Sequence, residues 1–231
     1  MKQLLTAGLS QLRLPTAQVD ALLQYADALL ETNKVMNLTA ITDPADVATL
    51  HFLDSAALLT LADFAGKRVV DVGTGAGFPG MPLRILEPSI RLTLLDSLGK
   101  RITFLQGVCD RLSLENVECV HARAEEFAAI HRESYDIATS RAVASLPLLA
   151  ELSLPLVKVG GFFLPMKAVD SDEELASAAH AIRVLGGRLA DVKDYRIPGT
   201  EITHRLLVIE KIAPSPAKYP RAFAKIKKAP L

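Results

Sequence analysis

Four glycines in eight residues, Gly73, Gly75, Gly77 and Gly80, follow the apolar run Val69-Val70-Asp71-Val72. Glycine reaches positive φ at little cost and lets the backbone approach another group closely. A short buried strand, a glycine loop and then a helix N-terminus make a corner suited to polar or negative ligand groups. A bare turn needs one or two glycines, so four in register with a strand point to a bound molecule. Two acids frame the loop. Asp71 stands two residues before Gly73, and Asp96 ends the next apolar run, Arg91-Leu-Thr-Leu-Leu-Asp96. A carboxylate at that second strand end accepts hydrogen bonds from ribose hydroxyls.

The loop has two chemical readings. Gly75-Ala76-Gly77-Phe78-Pro79-Gly80 matches the dinucleotide pattern G-x-G-x-x-G, and Asp96 follows about 20 residues on, as that pattern requires. This reading gives an NAD-dependent oxidoreductase. With Asp71 included, Asp-x-Gly-x-Gly-x-Gly resembles the first motif of S-adenosylmethionine methyltransferases, which share the α/β layout. On that reading Gly73, Gly75 and Gly77 admit the amino-acid end of the cofactor. Asp71 attracts its ammonium group, directly or through water, and Asp96 takes the ribose. Phe78 either lines the cleft or packs as a core residue at the helix start. Ala124 and Glu125 follow the third strand, where the adenine edge is expected; Glu125 and Glu126 are equally first-turn acids favoured by the helix dipole.

The fourth strand ends in Thr139-Ser140-Arg141-Ala142. Many amino methyltransferases carry Asn/Asp-Pro-Pro-aromatic here to accept from an exocyclic amine, so this ending argues against an amine target. A ring nitrogen with a free lone pair has no proton to lose and needs no such acceptor. The fork of Arg141 suits a base oxygen, a phosphate or the cofactor carboxylate, or a structural pair with an acid. His51 and Asp54 share one helical face and read as polar anchoring or as substrate positioning. His121, His131, His180 and His204 have no ligand spacing, so no metal is expected.

These residues need elements to position them. Residues 1–60 read as helical: from Thr16 to Asn33, Val19, Leu22, Leu23, Ala26, Leu29 and Leu30 recur at three and four. Asn33 to Thr42 reads as a loop, and Asp43-Pro44 caps a following helix. Strands are expected at 68–72, 91–96, 117–122, 135–140 and 160–166. Helices are expected at 79–87, 99–112, 124–132, 146–157 and 172–185. Such alternation predicts a doubly wound, mostly parallel sheet with helices on both faces. Two more strands, 188–196 and 204–212, flank Ile197-Pro198-Gly199-Thr200 and predict a closing hairpin, seven strands in all. The expected domain is 1–213, with 1–62 a helical extension packed on the sheet. Residues 214–231 hold four prolines and five basic residues without an acid. They read as a basic arm or a disordered end that cannot build a core.

A chain of 231 residues, half of them apolar and 23% charged, fits one soluble globular unit. No run is long enough to span a bilayer, and the N-terminal apolar stretch is too short for a signal peptide. Cys109 and Cys119 read as reduced core residues, which favours the cytoplasm. With 26 basic and 26 acidic residues the net charge is zero, so a polyanion must be held by a local basic patch.

Taken together the residues resemble the bacterial 16S ribosomal RNA guanine-N7 methyltransferase G family, also called glucose-inhibited division protein B. The matching runs are Asn37-Leu-Thr-Ala-Ile, His51-Phe-Leu-Asp54-Ser55, Asp71 through Pro82, Leu94-Leu-Asp-Ser-Leu-Gly-Lys-Arg101, Arg123-Ala-Glu-Glu-Phe127, Thr139-Ser-Arg141-Ala, Leu164-Pro-Met-Lys167 and His204-Arg205-Leu-Leu-Val-Ile209. They span about residues 33–212, with Tyr219-Pro220-Arg221 and Lys228-Ala-Pro-Leu231 beyond. Ala222-Phe223-Ala224 departs from the family's more polar, proline- and glycine-containing stretch. The resemblance implies a class I, Rossmann-like fold, S-adenosylmethionine as cofactor, and 16S ribosomal RNA or the small subunit as partner; a monomer is the default expectation. It makes Arg141 the substrate-positioning residue and needs no general base. Lys100, Arg101, Arg123, Lys167 and Arg205, with Lys218 and Arg221 of the tail, would then ring the crevice and hold phosphates. A non-enzymatic assembly factor on a cofactor-binding scaffold is the remaining alternative.

Overall fold

The computed structural model describes residues 1–141 and 144–231. Its centre is one seven-stranded sheet of β1 (Arg68–Val72), β2 (Arg91–Asp96), β3 (Val117–His121), β4 (Tyr135–Arg141), β5 (Val157–Ala168), β6 (Gly187–Arg196) and β7 (Thr203–Lys211), in the order β3-β2-β1-β4-β5-β7-β6. The ladders among β1 to β5 are parallel, and β7 runs antiparallel between β5 and β6. The hairpin turns at Gly199, whose φ is +77°, and closes with Ile197 N donating to Ile202 O at 2.9 Å. Strand order reverses between β1 and β4, so the loops leaving their carboxyl ends diverge and open a crevice.

Both sheet faces are covered. On β7, Leu206 packs into one core cluster and Leu207 and Ile209 into the other, following the two-residue period of a strand. The first cluster joins the sheet to α1 (Lys2–Gln11), α2 (Val19–Met36), α5 (Gly80–Leu86) and α6 (Gly99–Arg111). The second joins it to α7 (Ala124–Ile130), α8 (Leu146–Ser153) and α9 (Asp172–Val184). Cys109 on α6 and Cys119 on β3 are free thiols with sulfurs 3.9 Å apart. Among the described residues no helix is long and apolar enough to cross a membrane.

The N-terminal helices depart locally from the expected bounds. α2 starts at Val19 and continues through Asn33 to Met36, because Asn33 is a helical residue that organises the loop after it. Its side-chain oxygen accepts from Leu38 N and Thr39 N at 2.6 and 2.9 Å, and its amide donates to Thr39 O at 2.9 Å. Asp43 caps α3 (Pro44–Asp46) as its sequence suggests, accepting from Ala45 N and Asp46 N. The chain then winds as a π-helix over Val47–Leu53 before α4 (Asp54–Leu61). That wider turn, common beside functional sites, has no sequence signature.

The tail overturns its sequence reading as an arm. Residues 214–231 lie against the second core cluster, with Tyr219 and Ile226 buried, and end in α10 (Phe223–Lys228). Arg132 donates to the carbonyls of Tyr219 at 2.7 Å, Pro216 at 3.0 Å and Ser215. Lys211, fully buried, donates to Leu154 O and Ser215 Oγ at 2.6 and 2.8 Å. Composition misleads here because the anchoring groups sit elsewhere in the chain. Replacing Arg132 by Ala strips three carbonyls of a charged donor, a loss of about 2 kcal/mol. Trypsin, at a concentration that spares the unmodified protein, should then cut the variant after Lys218.

Candidate cofactor and substrate site

The crevice at the β1–β4 divergence holds a cavity of about 600 Å³. Its floor is the loop after β1: Gly73, Thr74, Gly75 and Ala76. Gly73 N and Thr74 N donate to Leu95 O, and Gly75 N donates to Asp96 Oδ2 at 2.9 Å. Gly73 and Gly75 have φ of +70° and +61°. A Cβ on Gly75 would meet nothing closer than Gly73 O at 4.0 Å, so it would stand in the cavity itself. Gly77 differs. At φ +105° its Cβ would collide with the Tyr25 hydroxyl and come within 2.7 Å of Leu105 Cδ2. Gly77 is therefore set by packing behind the loop and does not line the cavity.

Asp71 is also behind the loop, which corrects its expected role as a direct partner of a ligand ammonium. Its carboxylate is fully buried and absent from the cavity wall. Oδ2 accepts from Thr74 Oγ1 at 2.7 Å and from Gly80 N at 2.9 Å, while Oδ1 has no partner among the described residues. A Cβ on Gly80 would meet Asp71 Oδ2 at 2.9 Å, so the fourth glycine makes room for this acid. Burial raises the Asp71 carboxyl to about 6, against the pull of the Thr74 and Gly80 hydrogen bonds and of Arg141.

Asp96, Arg101, Arg123, Ala124, Glu125, Phe78 and Arg141 all reach the cavity wall, with Thr39, His51, Leu152 and Phe223. Asp96 Oδ1 accepts from Leu98 N at 2.9 Å, and Arg101 lies 3.2 Å from Oδ2. Arg123 donates to Glu125 Oε1 at 2.9 Å. Phe78 meets both of its expected descriptions: it lines the cavity and is only 5% exposed. The His51 ring stacks on it at 4.4 Å and the Arg141 guanidinium sits 5.0 Å from its centroid.

Arg141 is fixed by a buried polar cluster. It donates to Asp54 Oδ2 at 2.9 Å, to Leu50 O at 3.0 Å and to His51 Nδ1 at 2.9 Å. Asp54 Oδ1 accepts from the Tyr195 hydroxyl at 2.8 Å and pairs with His204 Nδ1 at 2.9 Å. Burial raises the Asp54 carboxyl, but His204, Arg141 and Tyr195 outweigh it and hold it below the usual carboxylate range. With Nδ1 accepting from Arg141, His51 donates from Nε2 to Thr39 Oγ1 at 2.8 Å. Burial first, and then the guanidinium, lower the imidazole to about 3. Thr39 and His204 lie in runs that carry the family resemblance, while Tyr195 and Tyr25, whose hydroxyl donates to Ala76 O, lie in none; none of the four was singled out by its spacing. Asp54 and His51 were, as a pair on one face.

Several basic residues expected around the crevice are engaged elsewhere. Arg205 is held by Asp194 and Asp172, both at 2.6 Å, outside the cavity. Lys167 donates to Ala144 O and Glu174 at 3.0 and 2.8 Å. Arg221 is committed to the buried Glu151 through its backbone N and its guanidinium. Those acidic partners offset the three charges, which leaves them less to offer a phosphate than an unpaired cation. Lys100 and Lys218 are exposed. Ala142, part of the fourth-strand ending, lies outside the described residues. Among the described residues no His, Cys, Asp or Glu cluster could hold a metal ion.

The fit to S-adenosylmethionine rests on this wall: a glycine cradle a side chain would fill, an acid at the next strand end, and an acid with free backbone beyond it. The sheet order with an antiparallel β7 belongs to the class I S-adenosylmethionine-dependent methyltransferase fold. Solved structures agree. A SAM-dependent methyltransferase from Aquifex aeolicus superposes with a TM-score of 0.55 at 16% identity, covering 75% of this chain and 96% of that one. M. jannaschii TYW2 in complex with AdoMet does so at 0.53 and 16%, covering 69% and 75%. The family model described as rRNA small subunit methyltransferase G matches residues 18–203. Ribosomal RNA small subunit methyltransferase G of Alkaliphilus metalliredigens is 50% identical over 93% of this chain and 91% of its own length. That of Alkaliphilus oremlandii is 47% identical over 100% and 99%. The chain belongs to the rRNA small subunit methyltransferase G family.

Two glycine variants separate packing from binding. Gly77→Ala should lower the unfolding free energy by about 2–4 kcal/mol through overpacking and positive-φ strain. Gly75→Ala should cost only about 1 kcal/mol of strain yet weaken cofactor binding at least tenfold, read by calorimetry beside denaturant titration. His51 predicts a pH effect. Its folded value lies below its ordinary 6.5, so the unfolded chain binds the extra proton as pH falls from 6.5 towards 3. Stability contributed above pH 6.5 is lost in that window. Between pH 7 and 5 the protein should lose about 1–2 kcal/mol more than His51→Gln in urea titrations.

Proposed function

We propose that this chain transfers the methyl group of S-adenosylmethionine to N7 of a guanine in 16S ribosomal RNA. Family membership supports methylation of small-subunit ribosomal RNA, in the free RNA or the assembled particle, and a cytoplasmic setting. One observation carries the choice of N7: among the described residues, no free proton acceptor stands beside Arg141 in the cavity. Both nitrogens of His51, its titratable neighbour there, are bonded, and the wall's carboxylates, Asp96 and Glu125, stand at the end of β2 and just after β3, on the cofactor's side. An exocyclic amine must lose a proton on methylation; N7 need not.

The bound sulfonium supplies an electrophilic methyl group. Gly73 and Gly75 would hold the amino-acid end close to backbone, and Asp96, which accepts from Gly75 N and Leu98 N, would accept from the ribose hydroxyls with its remaining lone pairs. Arg141 orients the base. Three of its five N–H groups are taken by Asp54, Leu50 and His51, leaving at most two for a ligand. A two-pronged contact to O6 and N7 would cover the attacking lone pair, so one donor to O6 is the productive arrangement. Rate then comes from in-line placement and exclusion of water. Lys100 and Lys218 are the exposed cations left for phosphates, with Arg101 and Arg123 at the rim.

The antiparallel β7 and the acid-led loop argue against the NAD-dependent alternative. Incubation with tritiated S-adenosylmethionine and small-subunit RNA, followed by borohydride–aniline cleavage, should put the label at one N7-methylguanine. Label resistant to that cleavage would move the target to another atom. Donor and RNA binding without transfer would leave the assembly-factor reading.

A further inference from the structure

The cavity wall contains a residue from the far end of the chain, Phe223. Its place is secured from several sides. Arg132 and Lys211 hold residues 215–219, Ser215 N donates to Glu133 at 2.8 Å, and Tyr219 is buried. Two residues before Phe223, Arg221 donates from its backbone N, Nε and a terminal nitrogen to Glu151 at 2.9, 2.8 and 2.6 Å. Glu151 is fully buried, and its only hydrogen-bond donors among the described residues come from Arg221. A buried carboxylate without donors is costly, so this contact fixes where the tail turns. Beyond it, Ile226 is fully buried, and Phe223 is left half-buried at the cavity with Arg123 4.4 Å from its ring centroid.

The wall is ordered along the sheet. The glycine loop follows β1, Asp96 ends β2, and Ala122 to Glu125 follow β3, with the three strands adjacent in that sequence. A donor with its amino-acid end on the loop and its ribose on Asp96 must carry its base one strand further, roughly 5 Å, towards β3. There it meets Ala124, Glu125, Leu152 and Phe223.

We propose that Phe223 forms the outer wall of the base subsite, so that the C-terminal tail of this chain is part of its cofactor site. The inference rests on the S-adenosylmethionine reading above. The Arg123 guanidinium lies over one face of the Phe223 ring and fixes it, which leaves the other face or the ring edge for a purine to pack against. The segment Ala222-Phe223-Ala224, where the sequence departs from its family's usual composition, is thereby placed at the ligand.

Calorimetry on the full chain with S-adenosylmethionine, S-adenosylhomocysteine and adenosine tests this, with melting temperature as the folding control. Phe223→Ala should weaken all three about tenfold, the scale of one lost base–aromatic stack. Phe223→Leu, which keeps the apolar packing, should fall between, and Phe223→Trp should restore binding. Wild-type affinity in Phe223→Ala and Phe223→Leu, beside a wild-type chain that binds the donor, would overturn the role of Phe223 alone. A wild-type chain that binds none of the three would instead overturn the cofactor reading, and this proposal with it.

Discussion

The Asp71 carboxylate is the constraint on which the site depends. It sits in the interior beside β2, and the loop bends around it: Thr74 donates from one side and Gly80 from the start of α5. One oxygen atom thus sets the distance between the end of β1 and the beginning of the next helix. The positive-φ glycines are a consequence, because a chain that turns back within nine residues onto its own strand needs left-handed backbone, which glycine adopts at least cost. The cost is a charge that burial disfavours, visible in its raised titration point. Such strain is commonly kept at functional corners, where the backbone shape it enforces is what binds.

A second acid, Asp54, does for the far wall what Asp71 does for the floor. It ties a helix that precedes the sheet to β4 through Arg141, and to β6 and β7 through Tyr195 and His204. The helical extension is consequently a working part of the crevice. His51 and Thr39 come from it, and its π-turn brings Leu50 O and the His51 ring to one guanidinium. An arginine held by three acceptors keeps its plane, which suits it to present one donor rather than a fork.

The strands were legible because both faces of a parallel sheet are buried, so each reads as a short apolar run between turn residues. β1 and β2 fall at 68–72 and 91–96, and the Pro198-Gly199 turn marks the hairpin. The glycine loop, Asp96 and Ala124-Glu125 were legible because they sit at fixed offsets from those strands. What escaped was pairing. Nothing near Asp71 in sequence distinguishes an acid that faces a ligand from one that faces Gly80. Glu174 is seven residues from Lys167 and Asp194 eleven from Arg205, yet no spacing rule discloses that these carboxylates occupy them. The tail failed for the same reason: its proline-rich, basic composition is that of a loose end, and its anchors Arg132, Glu133 and Glu151 lie more than 60 residues away.

The Asp54 cluster also sets how far apart in the chain the makers of one guanidinium's seat can lie. Its partners stand 87, 141 and 150 residues away. The glycine cradle is closed mainly by bonds that span 3, 9 and 21 residues, from Thr74, Gly80 and Gly75 to Asp71 and Asp96. A change in β6 or β7 therefore reaches Arg141 through Tyr195 or His204 without touching the bonds that shape the loop, so the two halves of the crevice are open to separate alteration.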